Sequence, residues 1–421
     1  MLRLEHVSHQ APSRRFFGWW IAPAGFVTSG LAVGVPYYNV PFFYDYFQRA
    51  AGWTRAEITL GFPLAAVLTI WIGPLLIYRF SPRKLIIAGS ALTAISLAGF
   101  ARMGSSLWIY YALWVVFTMG YMFSGPIPHQ LIVSHWFRRN RGKAMGIVYV
   151  GNGLMGSVGS LLVKPLTEHL GFRAALMILG AMVLICWPIA ILVLRDKPSD
   201  MGQYPDGDIT PPAEAAIPSH SFADLMTSYS FWLLLIGSFC AIGAVGAINF
   251  HMKFVFLDQG FEKGSAADSA WRTASVLILW SSVLGRLLVG ALADRFSKKW
   301  VMTGTFALVA ATIPNLLFVR PGHEILLYTF AVLFGFGLGA DYMLIPLMAA
   351  EQFGINSLSR AMSVILPVNT IGQTWVPYFV SILRDRLGSY ATAMQVVLAI
   401  ALIGAIAIAI LPKQWPKNIK Q

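Results

Sequence analysis

Gly290-Ala-Leu-Ala-Asp-Arg-Phe-Ser-Lys-Lys299 is a short polar stretch between two long apolar runs, and part of it is written twice in the chain. Asp294-Arg-Phe-Ser297 repeats Tyr78-Arg-Phe-Ser81 at an offset of 216 residues. Arg360-Ala-Met-Ser363 repeats Lys143-Ala-Met-Gly146 at an offset of 217, and Leu387-Gly388 repeats Leu170-Gly171 at the same offset. Three matches at a near-constant spacing, each at the same place in its half, describe a chain made of two related halves. Weak internal symmetry of this kind is the mark of transporters built from repeated helix bundles, which bind substrate near the midplane between the repeats.

The runs on either side of these stretches are too apolar for a water-soluble globule. Of 421 residues, 57% are hydrophobic and 12% charged, against about 25% charged in soluble domains. Mean hydropathy is +0.65. Such a composition excludes a disordered chain, and the absence of a short period excludes a fibrous one. About 20 apolar residues, rising 1.5 Å each, cross a hydrocarbon core. Twelve runs meet that length, near 18–44, 56–78, 84–103, 107–133, 144–166, 174–194, 229–256, 271–293, 300–319, 325–350, 360–383 and 389–411. The spans of a membrane β-barrel would be about 10 residues with strict alternation, so run length selects helices. The expected fold is an all-α integral membrane protein, with 12 transmembrane helices in two pseudo-symmetric six-helix bundles. Residues 1–194 would form the first bundle and 229–421 the second. Residues 195–228, rich in Pro, Asp and Gly, would be the linker.

Net charge is +13, which on a soluble protein would suggest nucleic acid. Here the basic residues fall between apolar runs and mostly on one side. Arg79, Arg83, Lys84, Arg138, Arg139, Arg141, Lys143, Arg295, Lys298 and Lys299 share that side with Arg14, Arg15, Lys413, Lys417 and Lys420. The positive-inside rule places both termini and the linker in the cytoplasm of a multi-pass plasma (inner) membrane protein. The partner is then the lipid bilayer and not nucleic acid, and a monomer is the default. The first apolar run lacks a cleavage pattern after it and is expected to stay as the first span. Cys186 and Cys240 sit within apolar runs as small packing residues.

A charge at the centre of a span costs about 2.5–3.5 kcal/mol on insertion scales, so it marks function. Arg286 lies eight residues before Asp294, about 12 Å into the membrane. Asp341 lies ten residues before Glu351, about 15 Å in. Their counterparts in the first half are Ile70 and Ser124, so the scaffold itself demands neither charge. A guanidinium matches a carboxylate with a planar fork. Arg286 would bind a substrate carboxylate, and Asp341 would hold Arg286 until protonation releases it. That couples proton entry to anion binding. The competing reading is a permanent structural ion pair. His129 is a further proton-coupling candidate, against a simple interhelical hydrogen bond. Asn152, Asn369 and Gln373 would bond either substrate or neighbouring helices. Lys164 and Lys253, near the outer ends, would snorkel.

Glycine runs at 151–159 and 335–339 follow no strand and are read as helix-packing surfaces, not phosphate loops. The sequence offers no metal cluster, cofactor motif, ATPase half or catalytic constellation, so neither an enzyme nor an ATP-driven pump is expected.

Gly290, the Asp294-Arg295 pair and the trailing lysines resemble the cytoplasmic loop signature of the major facilitator superfamily. The resemblance implies that Gly290, Asp294 and Arg295 form a cytoplasmic gate. The first-half copy carries Tyr78 where the acid is expected. Further stretches resemble the monocarboxylate transporters and the related oxalate/formate antiporters. They are 136–146, 196–202, Gly52-Trp-Thr-Arg-Ala-Glu-Ile58, Gly285-Arg286-Leu-Leu-Val-Gly290, Glu351-Gln-Phe-Gly354, and His251 with Asp258 seven residues on. The branch implies substrate contacts from Tyr37, Tyr38 and Tyr121, a substrate or proton role for His251, and proton coupling by Asp258 paired with Arg286. The segment between Asp258 and Arg286 is longer than the family pattern. Oxalate-type exchangers are expected to carry a lysine in the eleventh span, where this chain reads Ile365-Leu-Pro-Val-Asn369-Thr-Ile-Gly-Gln373. The expected function is therefore secondary active transport of a small organic monocarboxylate, coupled to protons, by alternating access. The alternatives are organic anion exchange and export of amphiphilic drugs by the same fold.

Overall fold

The computed structural model describes residues 16–69, 71–72, 76–209, 220–261 and 266–412. Arg14, Arg15, Ile70, Lys413, Lys417, Lys420, linker residues 210–219 and the side chain of Tyr78 lie outside that set. In chain order the main helices are α1 (Gly18–Phe43), α2 (Glu57–Thr69), α3 (Pro82–Arg102), α4 (Leu107–Trp136), α5 (Arg141–Leu170) and α6 (Phe172–Leu192). The second half supplies α7 (Tyr229–Asp258), α8 (Ala266–Arg295), α9 (Lys298–Phe318), α10 (Glu324–Phe353), α11 (Ile355–Leu387) and α12 (Tyr390–Ala409).

Ten of the described helices are long and apolar enough to cross a membrane. The two that fall short are α2, whose run continues through the undescribed residues 70 and 73–75, and α11. The latter has 33 residues but carries Asn369, Gln373 and the charged end Arg384-Asp385-Arg386. The repeated Leu-Gly pairs are turns. Gly171 ends α5 with φ 82° and Gly388 ends α11 with φ 71°, a region that costs a side chain energy and glycine little. Ser81, Ser228 and Ser389 accept hydrogen bonds from the first turns of α3, α7 and α12.

The apolar core is continuous at one end of the molecule and divided at the other. At the end that carries the basic loops, Ile86, Trp136 and Val148 of the first half join one cluster with Phe231, Met348 and Leu358 of the second. At the opposite end Phe43, Phe100 and Tyr110 form a cluster within the first half, and Val255, Leu316 and Leu327 another within the second. The bundles therefore meet at the basic end and stand apart at the other.

Residues 195–209 are fastened to the first half. Asp196 accepts hydrogen bonds from Ser81 Oγ at 2.5 Å and the Arg83 amide at 2.8 Å. Asp206 accepts from the amides of Arg138 and Arg139 at 2.9 and 2.8 Å, and Asp208 pairs with Arg139 at 2.6 Å. His220 is tied to the second half: its amide donates to Ser357 Oγ at 2.8 Å, and its carbonyl accepts from Arg360 Nη1 at 2.9 Å.

Candidate functional site

A cavity of about 420 Å³ lies between the two bundles. Its walls follow from helical spacing. On α7 they are Ile242, Val245, Asn249 and Met252, on α8 Ser275, Ile278, Ser282 and Arg286, and on α10 Leu338, Asp341 and Tyr342. Steps of three and four residues keep each set on one helix face. The first half contributes Tyr37 and Tyr38 from α1, Tyr121 from α4, and Tyr149, Asn152 and Gly153 from α5.

Helix α8 can carry a buried arginine against α10 because glycines line their contact. A Cβ on Gly285 would meet the Phe336 carbonyl, and one on Gly335 or Gly339 would meet the carbonyls of Ile278 or Ser282. Backbones that approach this closely fix the two helices, and with them Arg286 and Asp341, as packed membrane helices do. Across the cavity, a Cβ on Gly153 would stand 3.3 Å from Arg286 Nη1. Glycine there leaves the guanidinium its room.

Arg286 is 9% exposed and Asp341 2%. Both line the cavity, yet they form no ion pair among the described residues. Arg286 Nη1 donates to Ser282 Oγ at 2.9 Å. Asp341 Oδ1 accepts from the Tyr342 amide at 2.5 Å, and Oδ2 has no hydrogen-bond partner. The expectation that Asp341 clasps Arg286 directly is thereby corrected for this conformation, and so is the permanent ion pair. Each charged head keeps bonding capacity toward the cavity. Aromatic rings gather beside them: Tyr37 lies 5.3 Å from Tyr38 and 5.5 Å from Tyr121, and its hydroxyl reaches Gln373 Oε1 at 3.5 Å.

Of the sequence candidates, Tyr38, Tyr121, Asn152, Arg286 and Asp341 come together here. Asn152 also accepts a hydrogen bond from Ser29 Oγ at 2.6 Å. Four others do not line the cavity. Asn369 is fully buried and accepts from Ser238 Oγ at 3.0 Å, joining α11 to α7. His251 contacts Tyr390 Oη at 3.2 Å and the Pro377 carbonyl at 2.8 Å. It sits two residues from Asn249, about 200° around the helix, so it faces neighbouring helices. His129 lies between Thr28 Oγ1 and the Gly125 carbonyl, both at 2.8 Å, as an interhelical bond. Asp258 ends α7 and pairs with Arg384 at 3.9 Å instead of Arg286. Asn249, Tyr149, Tyr342 and Ser282 line the cavity without having stood out in the sequence. The stripe through Ile242, Val245 and Asn249 was the available signal for the first.

At the basic end, Asp294 Oδ1 accepts the Gly142 amide at 2.6 Å and Oδ2 the Lys143 amide at 2.9 Å. An acid of α8 thus caps the start of α5 in the other half, where the helix dipole favours negative charge. Gly142 and Gly290 meet backbone to backbone. Arg295 is exposed.

Two six-helix bundles around a central cavity with an arginine and a carboxyl in its wall define a membrane transporter of the repeat-built type. The chain belongs to the Major Facilitator Superfamily, whose family model matches residues 24–280 and 263–421. It is 25% identical to mouse monocarboxylate transporter 11 over 95% of this chain and 88% of that protein. In fold it is similar to the human organic anion transporter MFSD10, with TM-score 0.67, 15% identity, and 95% and 100% of the two chains covered. It is likewise similar to the E. coli fucose:proton symporter FucP in its outward conformation. There the TM-score is 0.67 and the identity 14%, over 94% of this chain and 98% of that one.

Proposed function

We propose that this protein carries a small organic monocarboxylate together with a proton across the plasma membrane by alternating access, as a monomer. The bundles are residues 1–194 and 229–421, joined by 195–228, with the basic end and both termini cytoplasmic. The observation that carries the reading is a buried arginine and a buried, half-unbonded carboxyl facing one cavity without touching. Arg286 takes the substrate carboxylate as a charge-assisted, forked hydrogen bond. Asp341 takes the proton, so that the loaded cavity is neutral when it crosses the membrane interior. Tyr38, Tyr121 and Asn152 line the remaining surface and orient the substrate. Asp294, Gly290 and Arg295 form the gate at the cytoplasmic end, closed by the cap on α5. Similarity to a monocarboxylate transporter supports the substrate class.

The test is uptake into proteoliposomes loaded with a pH-sensitive dye, using formate, lactate, pyruvate, oxalate and larger aromatic acids. Internal acidification on adding a monocarboxylate, lost in Arg286→Gln, is the expected result. Transport that survives Arg286→Gln unchanged sinks the site assignment. Flux only in vesicles preloaded with a second anion replaces symport with exchange.

A further inference from the structure

Two carboxylates hold four amides where α4 turns into α5. Asp294 of the second half accepts those of Gly142 and Lys143, and Asp206 of the linker accepts those of Arg138 and Arg139. The two grips differ in kind. Asp294 reaches in from the other bundle and has to let go when the basic end opens. Asp206 belongs to a segment that travels with the first half: Gln203 Oε1 accepts the Phe17 amide at 3.0 Å, and the Arg195 carbonyl accepts from Trp136 Nε1 at 2.9 Å. Asp206 is also held under strain. Among the described residues it is the only non-glycine residue at positive φ, 57°; its side chain is 2% exposed, and Oδ1 has no hydrogen-bond partner. Strained backbone and half-bonded buried groups persist where the surroundings over-determine them, and they gather at switch regions. Fastening a linker does not require them, since Asp196 does so without a positive φ.

We infer that Asp206 is a positioning residue for the cytoplasmic gate: by holding the turn between α4 and α5, it sets the strength with which Asp294 closes the basic end. The linker thus biases the equilibrium between the closed and open states of that end. The inference rests on Asp294 as the gate. Gly142 and Gly290 meet with no side chain between them, so α8 touches the backbone of the turn directly. Asp294 needs two amides aimed together at its two oxygens, and these follow on the same turn as the pair that Asp206 holds. A turn ordered in advance offers them at once. A turn released by the linker has to be ordered each time the gate closes, at a cost in backbone entropy. Arg141 carries the hold from one pair to the other. It is 8% exposed, and its Nε and Nη2 donate to the Phe137 and Ser134 carbonyls at 3.1 and 3.4 Å, tying the start of α5 to the end of α4.

The experiment measures spin-label distances across the basic end in the full-length chain, with labels at Lys84→Cys on α3 and Trp300→Cys on α9 in a Cys186→Ala, Cys240→Ala background. Both label positions are exposed. The parent protein is expected to show mainly the short, closed distance, and Asp294→Ala to raise the open fraction. Asp206→Gly suits a positive φ and removes only the carboxylate. It should raise the ratio of open to closed at least about fivefold, the lower end of ordinary coupling between sites. Asp206→Asn keeps an acceptor at the same place and should fall between. Added to Asp294→Ala, Asp206→Gly should change the ratio less than about twofold, because the contact it supports is already gone. Asp208→Asn removes the ion pair with the Arg139 side chain but touches no amide, and should leave the ratio unchanged. A shift of equal size in both backgrounds overturns the inference and leaves the gate standing. So does an Asp206→Gly protein that stays closed while Asp294→Ala opens, or an Asp208→Asn shift as large as that of Asp206→Gly. An Asp294→Ala protein that stays closed overturns the gate as well.

Discussion

Arg286 is positioned by small neighbours as much as by polar ones. Ser282 holds Nη1, and Gly153 leaves room beside the same nitrogen. A lysine would keep the charge but lose the planar fork. Arg286→Lys is therefore expected to lower initial carboxylate uptake at least tenfold, as measured in proteoliposomes; rates within twofold of wild type would mean that charge alone suffices. Asn249 and His251 are a matched pair on one helix. The former lines the cavity and the latter bonds Tyr390 and Pro377. Asn249→Ala is expected to raise KM several-fold with an unchanged melting temperature. His251→Leu should do the reverse, costing a few degrees in Tm through two lost hydrogen bonds at about 0.6 kcal/mol each, with transport close to wild type. In the sequence the histidine takes precedence, because a protonatable side chain in a span reads as functional. Only the angle around α7 shows that the amide two residues earlier holds the cavity position. Arg286 and Asp341 were legible because an isolated charge in an apolar run is too costly to keep without a role. Their lack of direct contact was not, since it depends on the separation of two helix faces.

Helices were the most legible level, because length and hydropathy together leave few ways to satisfy a backbone in lipid. The repeated Leu-Gly pairs also had a local cause, a backbone at positive φ after α5 and again after α11. The partner of each helix was less legible. Gly335 and Gly339 announce close packing, but not that α8 is the neighbour. Gly339→Leu drives a side chain into the Ser282 backbone and is expected to abolish folded expression, whereas Gly304→Leu, where a Cβ would meet nothing within 4 Å, should be tolerated. Size-exclusion profiles in detergent would distinguish them; equal profiles would show that α8 and α10 can separate without harm.

Across the molecule, the core is shared at the basic end and split at the other, as the proposed alternating access requires of one of its stages. Spin labels at the basic ends of α5 and α8 are expected to move apart, and those at the opposite ends of α1 and α7 to approach, when a transported acid is added at saturating concentration. Distances that stay fixed while transport proceeds would exclude rigid-body rocking. The fastening of residues 195–209 was hidden in the sequence. A stretch rich in Pro, Asp and Gly reads as a passive connector, and only the folded chain shows three aspartates occupied with amides, Ser81 and Arg139 of the first half. Removing one, as in Asp206→Ala, frees two amides and is expected to lower Tm by a few degrees.

The Asp294 cap has a consequence for how the basic end parts. It bolts α8 to α5, and the matching place across the pseudo-twofold axis holds Tyr78 instead of an acid. There the short turn Ile77–Arg79 lies against α11. Drawing that bolt lets the edge between α5 and α8 swing. The mouth at the basic end would then be widest between α5 and α8, and a substrate would leave from that side.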